Sequence, residues 1–119
     1  MSEYEKLAQL DKELLDGYVQ GLGSNVVQQM FDLYSKQVVI YIADIEASLL
    51  QNNAQSWQES CHKMKGAAGS VGLKALHERL KLMEKTMANA SEKAQQLADL
   101  KTHSQQAMDA FSDWLASLG

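Results

Sequence analysis

Apolar residues recur at three- and four-residue steps along four long segments of this chain, and the sequence contains no proline to interrupt them. Such spacing places one apolar stripe along each of four helices. The segments cover residues 25–50, 54–71, 73–88 and 92–118. Four such helices with short connections predict an all-α fold, an antiparallel up-down four-helix bundle. The stripe residues are Val27, Met30, Tyr34, Val38, Tyr41, Ile45, Leu49, Trp57, Cys61, Met64, Ala68, Val71, Leu73, Leu76, Leu80, Met83, Met87, Leu97, Leu100, Ser104, Ala107, Phe111, Trp114 and Leu118.

Short polar or glycine-containing breaks separate these segments, and their residues favour turns or helix caps. The N-terminal stretch also has apolar residues at helical spacing, which predicts one or two short extra helices over one end of the bundle. With 119 residues and no linker, the chain is expected to form a single domain over residues 1–119. The breaks are Gly23 with Ser24 or Asn25 as the following cap, Gln51-Asn52-Asn53, Gly69 with Gly72, and Asn89 or Ser91; the N-terminal apolar residues are Leu7, Leu10, Leu14 and Tyr18.

The composition limits which cellular compartments and which classes of partner are compatible with this chain. A formal net charge of −4 argues against nucleic acid as the main partner. The single cysteine, Cys61, fits a reducing compartment. We find no signal peptide and no apolar run long enough to span a membrane, so a cytoplasmic location without membrane contact is expected. Because one bundle uses all four stripes, we expect a monomer.

His62 stands out because the helical wheel places it on the solvent side of the second predicted helix. At about 100° per residue, it falls roughly 140° from the centre of the core stripe. Lys63 and Lys65 flank the same face, and Glu59 lies one turn before it. By itself, an exposed histidine is most often an ordinary surface residue.

Gly66 and Gly69 lie on this exposed face, although each glycine costs about 1 kcal/mol relative to alanine inside a helix. One interpretation is a loosened helix end, with Gly69 and Gly72 serving the break. The other is steric: Gly66 removes the side chain that would shade the His62 ring, so that a large partner can approach. Lys65 is then close enough to reach back toward the ring.

The spacing around His62 continues into a longer pattern, with a leucine repeat on the next helix and a short match near the N-terminus. This pattern resembles the signature of histidine-containing phosphotransfer (HPt) domains, in particular the module of Arc-type hybrid sensor kinases. The resemblance covers nearly the whole predicted bundle. The residues that carry it are His62, Lys65-Gly66, Gly69-Ser70, Gly72-Leu73, Leu76, Leu80 and Met83-Glu84, with Leu14, Tyr18 and Leu22-Gly23 earlier in the chain.

The resemblance implies a phosphorelay intermediate of two-component signal transduction rather than an enzyme with its own substrate. In the family, the histidine takes a phosphoryl group from a receiver-domain aspartate and passes it to another receiver aspartate. On this chain the phosphorylated residue is then His62, at Nε2. Lys65 offsets the phosphate charge, and Gly66 clears the approach. Glu84 occupies a position from which it would orient the ring.

The same resemblance implies the partners, namely the receiver domains of a hybrid sensor kinase and of a response regulator. Glu59, Lys63 and Gly69 are the expected partner-binding residues. The chain has no nucleotide-binding loop and no carboxylate cluster for a metal, so we expect no bound cofactor and assign Mg²⁺ to the partner receiver. A free-standing carrier is expected, with an excised domain of a hybrid kinase as the other possibility.

Two other interpretations of the exposed face stay open at this point. A non-catalytic helical adaptor would bind a partner through the face around His62 without carrying a phosphoryl group. A metal-binding bundle would need His62, His77 and Cys61 to meet, which is difficult because Cys61 points into the core. His77 and His103 are expected to be half-buried or surface residues without a chemical role.

Overall fold

The computed structural model describes residues 9–118, which form five α-helices. Helices α2 to α5 pack in a ring in which each contacts two others, and α1 packs against α2. The predicted all-α bundle is therefore confirmed, with one extra helix among the described N-terminal residues. Leu7 lies outside the described part, and a single domain over residues 1–119 stays a prediction. The helices are α1 (Lys12–Leu22), α2 (Ser24–Leu50), α3 (Ala54–Ser70), α4 (Lys74–Glu84) and α5 (Ala90–Leu118).

The apolar stripes of the four long segments form one continuous core. Most stripe residues are buried, so the helical spacing identified the core faces correctly. Met30, Tyr41 and Leu49 are half-buried at the edge of the core, whereas Met87 and Leu118 are exposed. No helix among residues 9–118 has the length and apolar character that crossing a membrane requires.

Asparagine side chains cap the N-termini of two of the bundle helices. Asn53 caps α3 by accepting a hydrogen bond from the Ser56 amide, and Asn89 accepts one from the Glu92 amide at the start of α5. The predicted cap at Ser24 or Asn25 is wrong: α2 begins at Ser24, after Gly23, without a side-chain cap.

Helix α4 is shorter than the predicted segment 73–88 and ends at Glu84. The Trp57 indole donates a 2.9 Å hydrogen bond to the Met83 carbonyl, an acceptor that a further helical turn would use. The Thr86 amide closes on the same carbonyl at 3.3 Å, which tightens the chain into a turn. Met87 consequently leaves the core and is 98% exposed.

The turn between α3 and α4 is tied to the N-terminal segment. Gly72 adopts φ +76°, a left-handed conformation that favours glycine, and a Cβ there would lie 2.8 Å from Leu15. Its carbonyl accepts a 2.8 Å hydrogen bond from the Asp11 amide, and Leu10 pairs with Leu73 as an isolated bridge. The predicted glycine break is thus a packed junction, and it fixes where α4 starts against α3.

Candidate functional site

His62 lies on the outer side of α3, and its side chain is 67% exposed. Its Nδ1 lies 2.6 Å from Oε1 of Glu84, on the neighbouring helix α4. An ionised carboxylate can only accept hydrogen bonds, so Nδ1 carries the proton and donates. In its neutral form the ring then presents the lone pair of Nε2, because its other nitrogen is engaged. The geometry leaves Nε2 as the ring nitrogen that is free to react.

Glu84, which the family resemblance placed near the ring, contacts both His62 and Lys65. Its Oε2 accepts a 2.6 Å hydrogen bond from Lys65 Nζ, while Oε1 contacts His62. The hydrogen bond from the Lys65 ammonium is the largest influence on the pKa of Glu84 and lowers it, and the His62 hydrogen bond lowers it further. Together they outweigh desolvation, so the pKa of Glu84 lies below its ordinary value. The carboxylate therefore stays ionised and accepts hydrogen bonds from both His62 and Lys65.

Lys65 differs from the expectation that it reaches back toward the His62 ring. Its side chain is only 19% exposed and crosses to Glu84 on α4 instead. The helical wheel describes one helix and contains no information about the neighbouring one. The preference of an ammonium for a nearby carboxylate over a neutral ring explains the difference.

Gly66 lies one turn after His62 on the exposed face of α3. Apart from the neighbouring backbone of α3 itself, no atom lies within 4 Å of the position that a Cβ would occupy there, so no packing contact requires a glycine. It lines an open cleft that continues past Gly69 and Ser70 to His77. The open space beside His62 agrees with the steric interpretation of this glycine.

Packing within the domain explains the glycine at position 69, and the sequence did not reveal this contact. Gly69 is half-buried rather than fully on the exposed face, and a Cβ there would lie 2.9 Å from Nδ1 of His77. The His77 ring crosses from α4 and its Nδ1 lies 3.1 Å from the Lys65 carbonyl, to which it donates. Gly69 thus accommodates a ring between the two helices, and its contact with a partner stays a prediction.

The two other expected partner-binding residues lie on the surface. Glu59 and Lys63 are both exposed on α3, and Glu59 accepts a 3.1 Å hydrogen bond from Gln55. Neither contacts His62 or Glu84 through any hydrogen bond or ion pair among residues 9–118. They lie near the site without belonging to its hydrogen-bond network.

Cys61 and His62 point to opposite sides of α3. Cys61 is fully buried, and burial, with a smaller contribution from Glu84, raises the pKa of its thiol to about 12. Its position in the core separates the thiol from the exposed His62 ring. Among residues 9–118, no three His, Cys, Asp or Glu side chains gather into a metal-binding group. His77 and His103 are half-buried, as expected.

Comparison with known proteins gives a consistent result. Residues 29–116 match the model of the Hpt domain family. The chain is 32% identical over 71 residues to the aerobic respiration control sensor protein ArcB of Escherichia coli K12, and equally to that of Shigella flexneri. This similarity covers 60% of the chain but spans only 9% of the length of those sensor proteins.

Two solved structures are similar over most of both chains. One is the histidine-containing phosphotransfer domain of ArcB from Escherichia coli, with a TM-score of 0.86, 23% identity, and 97% of this chain and 99% of that chain covered. The other is a solution structure of the same domain of the anaerobic sensor kinase ArcB, with a TM-score of 0.79, 25% identity, and 92% and 89% covered.

Proposed function

Because this chain belongs to the Hpt domain family and is a phosphorelay intermediate of two-component signalling, we propose that His62 is the residue that carries the phosphoryl group. The supporting observation is the pairing of an exposed ring with a carboxylate that engages only Nδ1. This arrangement combines an accessible nucleophile with a fixed tautomer. Neither His77 nor His103 has a carboxylate partner of this kind among residues 9–118.

The proposed transfer needs no proton relay. The Nε2 lone pair attacks the phosphorus of a receiver aspartyl phosphate, the P–N bond forms, and the P–O bond to the aspartate breaks with its electrons leaving on the carboxylate. The proton stays on Nδ1 throughout and is held by Glu84. In the onward step the P–N bond breaks, and the ring leaves as a neutral imidazole because Nδ1 is already protonated.

Glu84 and Lys65 have complementary roles in this proposal. Glu84 stabilises the positive charge that the ring gains when Nε2 is phosphorylated, as carboxylates that orient histidine do elsewhere. Lys65 keeps that carboxylate ionised and adds positive charge beneath the phosphoryl group. Gly66 leaves the approach to Nε2 open.

We propose receiver domains as the partners, one of a hybrid sensor kinase and one of a response regulator, contacted through the face that includes Glu59, Lys63 and Gly69. The partner receiver is proposed to supply Mg²⁺ and the acidic pocket, since phosphoryl transfer depends on positioning and charge neutralisation. The chain then works as a carrier without kinase machinery of its own, as a monomer in the cytoplasm.

The direct test is transfer from phosphorylated receivers of the same cell to the wild-type protein and to the His62→Gln variant. We expect labelling of the wild type to be acid-labile and base-stable, as a phosphoramidate is, and labelling of His62→Gln to fall to background. His103→Gln is the matched control and should label normally. Labelling of His62→Gln at the wild-type rate would contradict the assignment.

A second test concerns the tautomer. Glu84→Gln can hydrogen-bond Nδ1 but cannot stabilise the charged ring, so we expect transfer to slow by roughly tenfold. The ¹⁵N chemical shifts of the ring should show Nδ1 protonated in the wild type and a mixture of tautomers in the variant. A wild-type ring that is protonated mainly on Nε2 would exclude the proposed role of Glu84.

A further inference from the structure

Lys65, the cation one helical turn after the proposed phosphoryl site, is already paired. Lys65 Nζ lies 2.6 Å from Glu84 Oε2, and both side chains are mostly buried. Moving this ammonium to a phosphoryl group would leave Glu84 without its strongest stabilising contact. A second cation would therefore add to the offset of the phosphoryl charge on His62 without breaking this pair.

We propose that Lys81 is this second cation and contacts the phosphoryl group on His62, an inference that rests on the proposed function. Lys81 is four residues after His77 and three before Glu84, so the three side chains occupy one side of α4. His77 contacts the Lys65 carbonyl and Glu84 contacts His62. Lys81 therefore lies on the same side of α4 as the two residues that contact α3 at the site.

Lys81 differs from Lys65 in exposure and in pairing. It is exposed, and among residues 9–118 no carboxylate forms an ion pair with it. A lysine has a flexible stem with a compact charge at its end, which suits contact with phosphate oxygens over a range of positions. The empty space over Gly66, on the facing helix, leaves room for both the phosphoryl group and this ammonium.

The charge distribution of the domain agrees with this placement. Six of the 11 Lys and Arg residues lie between residues 54 and 85, compared with three of the 15 Asp and Glu residues. The chain as a whole has a net charge of −4, so α3 and α4 form its basic part. An added dianion is electrostatically favoured there and disfavoured on the rest of the surface.

The test uses the full chain and potassium phosphoramidate, a small donor that removes any contribution from a partner protein. The protonation constant of the phosphoryl group is measured by ³¹P NMR titration in the wild type, Lys81→Gln and Lys81→Arg. Lys36→Gln is the matched control, since Lys36 is an exposed lysine on α2 and its loss changes the net charge equally. We expect Lys81→Gln to raise the protonation constant about two- to fivefold, as removal of one partly exposed cation would.

The outcomes separate the two proposals. A larger shift for Lys81→Gln than for Lys36→Gln, with recovery in Lys81→Arg, supports the contact. Equal shifts in Lys81→Gln and Lys36→Gln overturn it while leaving the phosphorylation of His62 intact. A wild-type protein that gives no phosphohistidine signal, or the same signal in His62→Gln, overturns the proposed function and the role of Lys81 together.

Discussion

Two histidine–glycine pairs lie on the α3–α4 side of the bundle, and they use the same residue types for opposite purposes. Beside His62, Gly66 leaves open space, and the ring faces solvent with a carboxylate on Nδ1. Beside His77, Gly69 is the space into which the ring packs, and Nδ1 donates to a backbone carbonyl. A glycine next to a histidine on a helix therefore has no single meaning. The role of such a glycine depends on whether another side chain of the domain fills the space where its Cβ would lie.

Gly69→Ala should give the largest effect on stability. The added Cβ would lie 2.9 Å from His77 Nδ1, and the ring cannot move away without losing its bond to the Lys65 carbonyl. Overpacking of this kind costs about 1–3 kcal/mol, partly offset by the better helix propensity of alanine. Urea denaturation should show a net loss. A Gly69→Ala variant as stable as the wild type would show that the His77 ring does not need the space at Gly69.

Gly66→Leu should be the counterpart, with a kinetic effect instead. The side chain would project into empty space beside His62, so the helix should fold normally while transfer from a phosphorylated receiver slows about tenfold, or about 1.4 kcal/mol in the barrier. Gly66→Ala is the control: it should stabilise the helix by up to about 1 kcal/mol and slow transfer less. Unchanged transfer in Gly66→Leu would remove the steric role.

His77→Gln should sharpen the contrast between the two rings. Loss of the hydrogen bond to the Lys65 carbonyl should cost about 0.5–1.5 kcal/mol in the free energy of unfolding. If His62 carries the phosphoryl group as proposed, labelling by phosphoramidate should continue in this variant. The measurement is denaturation together with quantification of the acid-labile label. A loss of label in folded His77→Gln would show that the second ring takes part in the chemistry.

The smallest effect concerns pH. The pKa of Glu84 is lower in the folded chain than in the unfolded one, so its contacts contribute stability above the unfolded value and lose it as pH falls through the folded value. The difference in unfolding free energy between wild type and Glu84→Gln should therefore shrink as the solution is acidified below about pH 4.5. A difference that grows with acidification would contradict the ionised state of Glu84.

The periodic apolar pattern predicted the helices, the core faces and the exposure of His62, because burial along a helix follows directly from residue spacing. The sequence pattern also identified Glu84, but only as a possible neighbour. It missed the end of α4, since the Trp57 indole that takes the Met83 carbonyl belongs to another helix. The same limit applies to Ser24, which begins α2 without capping it.

What the sequence by itself determined is the set of helices and most of the residues that face water, including the His62 ring and the open glycine after it. Only the tertiary structure decided the pairing of Lys65 with Glu84, the contact of Glu84 with Nδ1 of His62, and the different surroundings of Gly66 and Gly69. Each of these depends on the rotation and register of α4 against α3. That packing is set by the buried core and the Gly72 junction, and residue spacing within one helix carries no information about it.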